Sequence, residues 1–82
     1  MRVRHEIQIE CRCPSDDLLD LYDCIIECER VLKIENIIAA VETISKQKMF
    51  QEDLTIKLSR QLNARVTTTG WHYGTVKTTV IA

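Results

Sequence analysis

The sequence predicts an α+β fold of order ββααββ, with one antiparallel four-stranded sheet and both helices on one face. Three observations carry the prediction. Residues 3–11 alternate polar and apolar with period two. Two middle segments switch to helical spacing. The last stretch, residues 64–82, is dense in β-branched residues. Eighty-two residues make a single domain over 1–82 with no room for a second.

In the first strand Val3, His5, Ile7, Ile9 and Cys11 share one face, and Arg4, Glu6, Gln8 and Glu10 the other. His5 therefore reads as a core histidine with its hydrogen bonds satisfied. Residues 21–31 form the second strand, with Tyr22, Cys24, Ile26 and Cys28 on one face. Between them Cys13-Pro-Ser-Asp-Asp-Leu-Leu-Asp20 is rich in turn formers. Folding about this loop pairs roughly Ile9 with Cys24, Ile7 with Ile26, and His5 with Cys28. That register places both apolar faces on the same side.

Residues 34–46 place Ile34, Ile37, Ile38, Val41 and Ile44 on a helical stripe, and residues 50–62 do the same with Phe50, Leu54, Leu58 and Leu62. The connection Ser45-Lys-Gln-Lys-Met49 lacks Gly and Pro, so one continuous helix is the alternative. The loss of phase after Ile44 favours two. In the last segment, Gly70-Trp-His-Tyr-Gly74 separates two strands of a second hairpin.

Eleven basic residues nearly balance twelve acidic ones, and no basic run offers a nucleic-acid footprint. No stretch approaches the roughly 20 apolar residues of a membrane span. The N-terminal Met1-Arg-Val-Arg-His alternates and is not a secretory signal, so the expectation is a cytoplasmic protein with its four cysteines reduced. So short a chain buries only about 60% of its unfolded surface. With a half-covered sheet and edges bearing little Pro or Lys, it is expected to form a homo-oligomer through its sheet edges.

Several residues could carry chemistry. Cys13 follows Arg12, and a neighbouring cation favours the nucleophilic thiolate. Asp20 closes the same loop and is placed to shuttle protons to that sulfur. Their plain alternatives are a small buried thiol and a turn residue. Cys24 and Cys28 lie about 13 Å apart along one strand, too far to share a metal. Cys11, Cys13 and His72 could form a three-ligand zinc site only if the hairpin tips meet. Glu52 lies in the first turn of the second helix, where a carboxylate gains from the helix dipole. It could equally grip the ring N–H and exocyclic amino group of a guanine-like heterocycle. Trp71, His72 and Tyr73 lie at a hairpin tip, His72 as an acid, base or ligand and either aromatic as a stacking surface.

These residues resemble the tunnelling-fold (T-fold) enzymes of purine and pterin metabolism, among them GTP cyclohydrolase I and 7-cyano-7-deazaguanine reductase. Phe50-Gln-Glu-Asp-Leu-Thr55 is similar to the cyclohydrolase segment Gln-Glu-Arg-Leu-Thr, in which the Glu holds the guanine ring. Glu52 takes that role by resemblance, with Gln51 and Tyr73 beside it as substrate-binding residues and His72 matching a catalytic histidine. The cyclohydrolase's second zinc cysteine would fall at Gly74, and its Cys-Glu-His-His motif is absent. The two histidines also exclude the three-histidine zinc site of 6-pyruvoyltetrahydropterin synthase. Cys13-Pro14, with Asp20 seven residues beyond the cysteine, resembles the reductase's Cys-Pro-x-x-Gly-x-Pro-Asp segment. There the Cys adds to a nitrile as a thioimide and the Asp assists proton transfer. The reductase's Glu-Ser-Lys-Ser-Leu-Lys nucleotide motif is missing, so NADPH reduction is not implied. The resemblance thus implies an oligomeric enzyme for a pterin, GTP-derived or 7-deazaguanine compound, with Cys13, Asp20 and His72 catalytic. The other reading is a non-catalytic assembly or binding module of the same fold.

Overall fold

A computed structural model describes residues 1–82. Its elements are β1 (Val3–Arg12), β2 (Leu19–Cys28), α1 (Ile34–Ser45), α2 (Gln51–Leu62), β3 (Arg65–His72) and β4 (Val76–Ile81). The strands form one antiparallel sheet in the order β1-β2-β3-β4, so the helices serve as the connection between the two central strands.

The period-two face of β1 and β2 does what its alternation requires. Ile9, Cys11, Tyr22, Cys24 and Ile26 are buried on one side, with Val66 of β3 beside them. Ile37, Ala40, Val41 and Ile44 of α1 and Leu54, Leu58 and Leu62 of α2 close the core from above. The first hairpin pairs Ile9 with Tyr22, Ile7 with Cys24 and His5 with Ile26. This is two residues from the expected register. The loop is tighter than its composition suggested: Cys13 N–H donates to Leu18 O at 2.9 Å, and Asp16 Oδ1 accepts from Leu18 N–H at 3.0 Å. The second strand consequently starts at Leu19 rather than 21 and ends at Cys28. A shift of two preserves which face each residue occupies.

The helices are separate. Met49 N–H leaves helical pairing and donates to Arg12 O at 3.0 Å, and Lys48 makes a parallel bridge with Arg12. The connection thereby fastens to the end of β1. Helix α2 starts after Phe50, which is exposed, and its buried stripe begins at Gln51 instead. It ends at Asn63 in the left-handed region, φ +48°. Arg30 donates to the carbonyls of Leu62 and Asn63, placing a cation at the negative end of the helix.

The second hairpin turns later than expected. Strand β3 continues through Gly70 to His72, and the turn is His72-Tyr-Gly-Thr75, with φ +55° at Tyr73 and +68° at Gly74. Gly70 is there for close approach, since a Cβ would lie 2.4 Å from Cδ1 of Tyr22. His5 is half-buried with its Nε2 buried and without a partner, so it is not the satisfied core histidine expected. No helix is long and apolar enough to cross a membrane.

Candidate functional site

A cavity of about 270 Å³ opens where the β1–β2 loop, the start of α2 and the tip of the β3–β4 hairpin meet. Its lining includes Cys13, Asp20, Tyr22, Gln51, Glu52 and His72, with Tyr73 at the rim. A larger cleft of about 590 Å³ lies between the β2–α1 connection and the end of α2. It has no cysteine, histidine or carboxylate, and its Arg30 is already engaged with helix carbonyls. Chemistry, not size, therefore singles out the first.

Local structure explains how each side chain arrives. Cys13 stands where β1 gives way to the loop and is half-buried. Arg12, of opposite strand parity, directs its guanidinium to Asp17 O at 3.0 Å, and Lys48 pairs with the Asp17 carboxylate at 2.8 Å. That pairing holds the Asp17 carboxyl below its ordinary range and pins the loop to the interhelix connection. Asp20 pairs with Cys11 across the hairpin. Its Oδ2 accepts a hydrogen bond from Tyr22 Oη at 3.2 Å. Burial raises the Tyr22 phenol well above its usual range, and the Asp20 carboxylate adds to this, so Tyr22 stays a neutral donor. The Tyr22 and His72 rings lie 6.2 Å apart, tilted by 50°. Glu52 is exposed on the first turn of α2 and faces the cavity from its rim. Tyr73 is 82% exposed and holds a positive φ, a costly conformation for an aromatic residue.

Gln51 is 1% exposed and lies at the hub of a polar network. Its Nε2 donates toward Thr68 O at 3.1 Å, Thr68 Oγ1 at 3.2 Å and Thr78 O at 3.0 Å. Its Oε1 lies 2.7 Å from His72 Nε2. Thr55 Oγ1 donates to Gln51 O at 2.7 Å and lies 2.6 Å from Thr68 Oγ1. Sequence reasoning missed Tyr22, Thr55, Thr68 and Thr78. The signals were a polar Gln51/Thr55 pair on the buried helical stripe and the shared strand face of Asp20 and Tyr22.

Within one chain no three His, Cys, Asp or Glu side chains converge to hold a metal ion, so Cys11, Cys13 and His72 do not form the zinc site their spacing allowed. Cys11 instead points its thiol at Gln47 O, 3.2 Å away, and burial raises its pKa. All four cysteines are free thiols. The residues present do not fit a cyclohydrolase-type zinc centre.

No protein-family model and no curated protein matches the chain. Among solved structures it is similar to the archaeosine synthase QueF-Like in its apo form. The TM-score is 0.85 at 24% sequence identity, covering 99% of this chain and 90% of that one. At that identity the likeness establishes a shared fold, the α+β ββααββ sheet-and-helix layer described above.

Proposed function

We propose that this chain is the subunit of a homo-oligomeric T-fold enzyme that binds a guanine-like heterocycle, with a 7-deazaguanine compound favoured over a pterin or GTP derivative. The observation that carries this reading is the convergence of Cys13, Asp20, Glu52 and His72 on one cavity from separate parts of the chain. The fold shared with an archaeosine synthase supports the choice of a deazaguanine.

Glu52 anchors the ring, its carboxylate accepting the ring N–H and the exocyclic amino group together. Tyr73 stacks at the rim. Cys13 adds to an electrophilic carbon such as that of a nitrile: the S–C bond forms, and the thiol proton ends on the nitrile nitrogen. Asp20 carries that proton, with Tyr22 orienting its carboxylate. A neighbouring copy completes the cavity. One chain offers about 270 Å³ and leaves Glu52 and Tyr73 exposed, less enclosure than the roughly 300–1,000 Å³ of ordinary ligand sites.

Titration calorimetry with guanine and 7-cyano-7-deazaguanine tests the anchor. Glu52→Ala removes two charge-assisted bonds of about 1.5 kcal/mol each, which should weaken binding by about two orders of magnitude. Equal affinity before and after the substitution would sink the anchor role. Intact-mass analysis with the nitrile compound should show one added ligand mass per chain, absent in Cys13→Ala. Unchanged binding without an adduct would leave a non-catalytic binding module as the reading.

A further inference from the structure

We infer that Gln51 is a positioning residue that fixes His72 as its Nε2–H tautomer and so presents Nδ1 as the ring's only free lone pair. That this site faces a ligand rests on the function proposed above; the tautomer itself does not.

The acceptors around Gln51 fix which way its amide faces. Carbonyl oxygens only accept, so the end of Gln51 that meets Thr68 O and Thr78 O must be the amide nitrogen. The Thr55 hydroxyl gives its proton to Gln51 O, which leaves Thr68 to donate to Thr55 Oγ1 and to share with its own carbonyl one of the two Gln51 amide hydrogens. What remains is Gln51 Oε1, an acceptor, 2.7 Å from His72 Nε2. Two acceptors do not approach that closely, so His72 Nε2 carries a hydrogen.

Its Nδ1 has no protein partner. Unlike Nε2 of His5, it is not among the buried orphaned atoms, and the ring lines the cavity. Neutral His72 therefore offers a lone pair at Nδ1. Protonation occurs there and leaves the bond to Gln51 intact in both charge states. A ligand N–H or O–H is accepted by the neutral ring, whereas a ligand carbonyl oxygen at the same place is repelled until the ring is charged. His72 thus acts as a one-site base, with its orientation fixed by Gln51 of α2 rather than by a side chain of its own hairpin.

The chain has only two histidines, so a long-range ¹H–¹⁵N spectrum of the ligand-free, ¹⁵N-labelled protein resolves both imidazoles. His72 is identified by its loss in His72→Gln. We expect a single Nε2–H tautomer with a slowly exchanging ring proton. A dominant Nδ1–H form, or a tautomer mixture, overturns the inference. Gln51→Met, similar in length but lacking the acceptor, should release a tautomer mixture and speed ring-proton exchange. An unchanged spectrum in a folded Gln51→Met protein also overturns it. Where that variant does not fold, the wild-type spectrum decides in the same terms. Because no ligand is present, a failed Glu52 test leaves this result standing, and the reverse holds equally.

Discussion

A methyl group at position 70 would lie 2.4 Å from Cδ1 and 2.7 Å from Cε1 of Tyr22, so one of the two must move. Tyr22 is fully buried and carries the hydroxyl that meets Asp20, which ties a packing constraint to the cavity. Gly70→Ala should therefore destabilise the fold by about 1–3 kcal/mol, read as a lowered melting temperature, and displace the Asp20 carboxylate. An unshifted melting curve would mean that the strand yields without cost. Alkaline pH probes the same core. Burial pushes the Cys24 thiol up to about 12 from 9.0. Below pH 9 folded and unfolded chains both keep this proton. Between 9 and 12 the unfolded chain loses it and the folded chain does not, so stability falls as pH rises, by about 1.4 kcal/mol per unit from this group. Tyr22, raised in the same direction from 10.0, adds to the loss above that pH. Melting temperatures measured across this window should fall steadily, and less steeply in Cys24→Ala.

Alternation and helical spacing made the six elements legible, because both are local consequences of which face must be buried. The first hairpin's register was not, since a period of two cannot distinguish pairings that differ by two residues. Asp16 and Leu18 decided it by closing a shorter loop than the run of turn formers implied. The break between α1 and α2 left only a phase change in the sequence, because what holds it is a long-range bond from Met49 to Arg12. The site divides in the same way. Cys13, Asp20, Glu52 and His72 stood out by residue type, whereas Gln51 and Thr68 become partners only when β3 lies beneath α2. Arg30 had no local signal, yet it closes the end of α2. Arg30→Ala should cost about 1–2 kcal/mol by removing charge-assisted bonds to that helix end. Hydrogen exchange should quicken in the last turn of α2 and not at its start, where the cavity lies.

The molecule is a slab of 39 × 23 × 16 Å, one helical layer on one face of a sheet. The opposite face leaves Leu19, Leu21, Trp71 and Ile81 each more than half exposed. Strand β4 pairs only with β3, and β1 has one neighbouring strand apart from its bridge to Lys48, so both edges offer free backbone groups. A domain this small has little stability to spare, and edge pairing would satisfy those groups while covering apolar surface. Copies joined head to tail, β4 to β1, would form a closed ring if the rotation permits. Native mass spectrometry should accordingly report a multiple of the chain mass. Thr79→Lys, which sets a charge on the exposed middle of β4, should shift the population toward monomer. Ligand affinity should fall in parallel, because the rim carrying Glu52 and Tyr73 is left open in a single chain. A wild-type protein that stays monomeric yet binds ligand at full strength would show that one chain holds the whole site.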